Sequence, residues 1–114
     1  MKVFGRKWKE NAEEVRSQAA RYDPDAMPEY LTDCKDLTEA FEVEADAIGK
    51  FAAVSESDLP VHPDLAAYIR SMQSLLRKVS EESSEVVAHF QKLHEEDLKR
   101  HQAPRPNESK WNVK

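Results

Sequence analysis

The stretch PDLAAYIRSMQSLLRKVSEESSEVVAHFQKLHEEDLKRHQ, residues 63–102, decides the fold. Leu65, Tyr68, Met72, Leu75, Val79, Val86, Phe90 and Leu93 recur in it at helical spacing, with Ser83 bridging the middle. Residues three and four apart share one face of a helix, so these side chains form a single apolar stripe. His62-Pro63-Asp64 marks the start. Proline at the first helical position lacks only an N–H that would be unpaired anyway, and Asp64 meets the positive end of the helix dipole. The pairs Glu95–Lys99 and Glu96–Arg100 support the last turns. A helix of about 40 residues extends roughly 60 Å, and propensity alone does not hold one so long. It needs a partner surface along its length.

Reading backwards supplies that surface. The connection Ser55 to Val61 is polar and turn-forming at its start. Before it, residues 25–54 read as a second helix, with Asp25 as its cap and Pro28 in its first turn. Tyr30, Cys34, Leu37, Phe41, Ile48 and Phe51 repeat there in heptad-like 4-3 steps. The slot between Phe41 and Ile48 falls on Glu44, so either Ala45 takes it or a carboxylate interrupts the seam. Gly49 weakens this helix by about 0.8–1 kcal/mol relative to alanine, a cost that close approach of a neighbouring helix would offset. Residues 6–22 form the first helix, with Trp8, Ala12, Val15, Ala19 and Tyr22 on one face.

Between the first two helices, Pro24 and Pro28 cannot both occupy a helix interior. If the break is a kink, the first two helices total about the length of the third. The fold is then a long antiparallel hairpin with a proline-kinked first arm. If it is a full turn, the fold is a three-helix bundle. The matched lengths favour the kinked hairpin. In either case the protein is all-α and forms one domain over residues 1–102. Residues 103–114 begin Ala-Pro-Arg-Pro, lack periodicity and read as a flexible basic tail.

Hydrophobic residues make up 39% of the 114-residue chain and charged residues 34%, a balance suited to long helices burying narrow stripes. No apolar run approaches the roughly 20 residues that cross a bilayer, and no secretory signal opens the chain, which favours a cytoplasmic protein. Cys34 is the only cysteine and reads as a core thiol. The net charge is −5, unevenly spread: residues 1–9 carry +4, residues 99–114 carry +4, and residues 10–98 carry −13.

Sites of chemistry are scarce. No nucleophile motif, phosphate-cradling glycine loop or cysteine pair is present, so the chain reads as non-enzymatic, without cofactor or small-molecule substrate. His94, Asp97 and His101 share one helical face and form the one combination with metal-ligand character, although a solvated polar face explains them as well. Arg6, Lys7, Trp8 and Lys9, with Arg100 and Arg105, are candidates for contact with an anionic partner, either nucleic acid or a membrane surface. Phe41, Ile48, Phe51, Met72, Val79, Val86 and Phe90 are the expected packing or interface anchors. These point first to an interaction or scaffold protein that binds a helical partner or self-associates, and second to an accessory factor acting through its basic termini.

Size, acidity, the lack of a signal peptide and the helix–turn–helix plan resemble the small ESAT-6/WXG100-type proteins of type VII secretion. Tyr22-Asp23-Pro24-Asp25-Ala26-Met27 is similar to the Asp-Pro openings before their helices. The Trp-x-Gly turn is replaced by Asp58-Leu59-Pro60-Val61, and His94 stands where an acidic residue would follow Phe90 by four. The resemblance covers residues 22–101 as architecture. It implies a small subunit of a secretion or transfer apparatus and assigns no functional residue.

Overall fold

The computed structural model describes residues 4–102, with side chains described over residues 5–100. Four helices follow in order: α1 (Phe4–Ala20), α2 (Met27–Asp58), α3 (Pro63–Leu93) and α4 (Glu95–Gln102). There is no strand among the described residues. Helices α2 and α3 form an antiparallel hairpin about the short connection 59–62, within an envelope of 66 × 28 × 18 Å.

The helix ends follow local chemistry. At α3, the His62 imidazole Nδ1 accepts the Asp64 N–H at 3.0 Å, and Pro63 occupies the first turn. At α2, Pro28 is again in the first turn, but the cap is Ala26 and not Asp25. The Asp25 backbone N–H instead donates to the Glu29 carboxylate, 3.3 Å away. The expected single helix over 63–102 is interrupted at His94, whose backbone (φ −116, ψ 28) leaves the helical region. Leu98 N–H still donates to the His94 carbonyl at 3.0 Å, so the chain re-enters a helix at once as α4.

The seam between α2 and α3 is made of small residues. Ala45 and Ala52 are fully buried, Ala66 nearly so, and Ser55 and Ser80 join them. Ala45 and Ala52 are seven residues apart and Ala66 and Ser80 fourteen, which keeps each pair on one line, and short side chains let the two backbones approach. A Cβ at position 49 would meet the Gln73 side-chain amide, so Gly49 makes room for a side chain of α3. The hydroxyls in the seam are satisfied, as burial requires. Ser80 Oγ donates to the Thr38 carbonyl at 3.1 Å, Thr38 Oγ and Ser83 Oγ lie 2.7 Å apart, and Ser55 Oγ donates to the Phe51 carbonyl at 2.9 Å. Phe41, Ile48, Ile69, Leu76, Val87 and Phe90 are half-buried along the same line.

This corrects the expected stripe on α3. The seam follows 66, 69, 73, 76, 80, 83, 87 and 90, which is largely the expected line displaced by one residue, or about 100° of helix rotation. Leu65, Tyr68, Met72, Leu75, Val79, Val86 and Leu93 are consequently exposed, from 41% at Val79 to 78% at Leu93. On α2 the displacement is partial: Phe41 and Ile48 stay on the seam, Ala45 takes the slot beside Glu44, and Leu37 and Phe51 turn outward. The rotation is favoured because it buries the residues that permit the closest backbone approach.

Helix α1 corrects the kinked arm. Trp8 packs edge-to-face on Phe51 with ring centroids 6.0 Å apart, whereas Tyr22 meets Tyr30 and Asp33. The first helix therefore folds back antiparallel to α2, and residues 21–26 make a full turn. Arg21 and Tyr22 close α1 with N–H bonds to the Gln18 and Ala19 carbonyls, and Ala26 is fully extended (φ −156, ψ 164). The layout is the three-helix alternative, with α1 laid loosely on the hairpin. Every residue from Lys9 to Ala20 is exposed.

Candidate functional site

One side of the hairpin is an open apolar groove bounded by α2 and α3. Its upper part holds the first half of α1. Trp8, Lys9 and Ala12 border a space of about 490 Å3 whose floor is Ile48, Phe51, Ile69 and Met72. Its lower part, about 280 Å3, is lined by Cys34, Leu37, Val79, Glu82, Ser83 and Val86. Helix periodicity places these residues on one side, because 44, 51 and 37 share a line on α2 and 72, 79 and 86 share one on α3. No residue of α1 borders the lower part.

Two carboxylates mark the groove. Glu44 accepts the Trp8 indole N–H at 2.5 Å. Glu82 is exposed and makes no ion pair among the described residues. On the opposite flank of the seam both guanidinium groups of the hairpin are engaged, Arg70 with Glu56 and Arg77 with Asp46 at 2.7 Å. The groove side of the hairpin is thus apolar with acidic rims.

Aromatic rings join the 21–26 turn, α2, α3 and the break before α4 at the lower end. Tyr22, Tyr30, Phe90 and His94 follow one another with centroids 6.3, 5.2 and 4.8 Å apart. The Tyr22 hydroxyl donates to Asp33, and that bond, with a smaller contribution from desolvation, pushes its pKa up to about 12. Negative charge and a hydrogen bond at Cys34 raise the Tyr30 pKa as well.

The metal candidates are otherwise employed. His94 Nδ1 is 3.6 Å from an Asp97 oxygen, and the other Asp97 oxygen pairs with Arg100 at 2.9 Å. The His101 side chain lies outside those described. Among the described residues no three His, Cys, Asp or Glu side chains form a group that could hold a metal ion.

Of the expected anchors, Phe41, Ile48 and Phe90 are half-buried, while Phe51, Met72, Val79 and Val86 stand exposed along the groove. The basic candidates are divided. Arg6, Lys7 and Lys9 are exposed beside Phe51, whereas Arg100 belongs to α4 beside the start of α2, roughly 30 Å away by helix rise. Arg105 and residues 103–114 lie outside the described residues. Leu37 and Ile69 complete the groove, and Glu82, one of the exposed carboxylates Glu81, Glu82 and Glu85, becomes a rim group. Placing them requires the orientation of α3, which the apolar pattern leaves open.

No helix among the described residues is long and apolar enough to cross a membrane. Compared with known proteins, the chain matches no family model, and no curated protein or solved structure aligns with it.

Proposed function

We propose that the chain is a non-enzymatic helical interaction protein of the cytoplasm, a small subunit that docks a helical partner or a second copy of itself on the open side of its hairpin. In setting it suits a secretion or transfer apparatus. The exposed apolar line from Leu65 to Leu93 carries this reading. It runs for about 42 Å at the rise of a helix, and single-chain proteins rarely leave so continuous a strip in water. Full burial of a large apolar side chain contributes about 1.5–3 kcal/mol, so a partner covering several of these gains substantially. Among the described residues, Arg6, Lys7 and Lys9 stand apart from Arg100, whereas the apolar line is continuous, which favours the apolar face.

The test is the triple substitution Leu75→Asp, Val79→Asp and Val86→Asp. Because these side chains are exposed, helical circular dichroism should be unchanged and unfolding stability altered by less than about 1 kcal/mol. Association in light scattering, or retention of the partner, should be lost. A variant that keeps every association of the native chain overturns the proposal.

A further inference from the structure

We infer that the occupant of the groove is a basic amphipathic helix of another protein, and that α1 is a weak placeholder which it displaces. This rests on the docking function proposed above and names the partner's chemistry.

The placeholder itself shows what the groove accepts. Among its described side chains, helix α1 brings one aromatic to the groove, Trp8, which stacks against Phe51 and gives its N–H to Glu44. Lys9 borders the same space, and Arg6 and Lys7 flank it. Beyond Trp8 the facing residues are the short Ala12 and Ala19 and a Val15 that is 67% exposed. Alanine does not fill a groove that admits larger side chains, which is why about 490 Å3 stays open beneath α1. The lower groove continues past Leu37, Val79 and Val86 with no cover from α1.

Charge identifies the better occupant. Arg70 and Arg77 are committed to carboxylates on the far flank, so the groove keeps Glu44 and Glu82 on its rims. The contacts Asp46–Arg77 and Thr38–Ser83 fix the register of the hairpin and put Glu82 level with Ala40, one turn from Glu44. A helix with large apolar residues at three- and four-residue steps, and lysine or arginine one turn apart at its edges, matches both features. A second copy would supply the apolar steps through its own Leu65 to Val86 line but not the charge, since it would bring another −13 body and another Glu82 to the same face.

The probes are two synthetic four-heptad peptides with leucine at the inward positions, one carrying lysine elsewhere and one carrying glutamate. Binding to the full chain is read by fluorescence anisotropy at moderate salt. The lysine peptide should bind at least about tenfold more tightly than the glutamate peptide, and Glu82→Lys should weaken it by about tenfold. Glu39→Lys, the same charge change about 200° of helix rotation from Leu37 and so on the side of α2 turned from the groove, should matter less than about twofold, because solvent screens exposed charges that are not at the site. Trp8→Ala should tighten binding by freeing the groove. Equal affinity for the two peptides, equal effects of the two lysine substitutions, or weaker binding to Trp8→Ala overturns the inference. If the chain alone is a dimer that Val79→Asp dissociates, the groove belongs to a second copy: this inference fails and the docking function stands. If neither peptide binds and Val79→Asp changes no association, both fail.

Discussion

Helices α1 and α3 both run antiparallel to α2, but α3 approaches through alanine and serine, whereas α1 reaches across with Trp8 and Tyr22. The first contact is close and continuous and carries hydroxyl bonds from Thr38, Ser80 and Ser83. The second is held near its two ends, with solvent-exposed residues between. Apolar content does not explain the difference. The exposed line of α3 is richer in large apolar residues than its buried line, so the size of the facing side chains, more than their hydropathy, decides which surfaces close.

The same substitution should therefore have opposite effects in the two places. Ala52→Leu forces a larger side chain into the closed seam and should destabilise the protein by about 1–3 kcal/mol. Ala12→Leu points into the open groove and should stabilise the attachment of α1, by up to about 1 kcal/mol. Denaturant melts of the two variants measure both, and a loss of stability in each would mean that α1 is as tightly packed as α3.

Removal of one anchor should separate the regions. With Trp8→Ala, amide exchange should quicken throughout α1 by about tenfold or less, while α2 and α3 keep their protection. Uniformly faster exchange would show that the three helices unfold as one unit.

The smallest effect belongs to the other anchor. The Tyr22 pKa is raised from 10.0 to about 12 by its bond to Asp33, so the folded state holds the phenolic proton more tightly than the unfolded chain does. The contribution of this bond is complete below pH 10 and is lost as the pH rises through about 12. Ultraviolet absorbance of tyrosinate should show a late-ionising tyrosine that is absent in Tyr22→Phe and titrates earlier in Asp33→Asn. An unchanged profile in Asp33→Asn would remove this anchor from the comparison.

The sequence made some of this legible and not the rest, for identifiable reasons. The His62-Pro63-Asp64 entry and the helix periodicity are local, and the structure has both. The face of α3 turned to α2 is not local. Apolar residues there occupy adjoining lines, 65/72/79/86 and 69/76/90, and hydropathy cannot rank lines that are all apolar. A usable signal was present in the recurrence of small residues at 38, 45 and 52 and again at 66 and 80. The direction of α1 was likewise open, because Pro24 and Pro28 stop a helix without stating where the chain goes next. The interruption at His94 has no glycine or proline to announce it. Of the groove, Met72, Val79 and Val86 were visible as apolar positions, but their exposure follows only from the rotation of α3.

The seam contacts bear on how the hairpin is assembled. Glu56–Arg70, Asp46–Arg77 and Thr38–Ser83 join residues 14, 31 and 45 apart along the chain. Each lies further from the 59–62 connection than the one before, so each closes a ring already shortened by its predecessor. Loop-closure entropy grows only with the logarithm of the free segment, and here that segment never becomes long. The hairpin can close stepwise from its turn, with the pairing of distant residues deferred until nearer ones hold them in place, and topologies of such low contact order are among the fastest to fold.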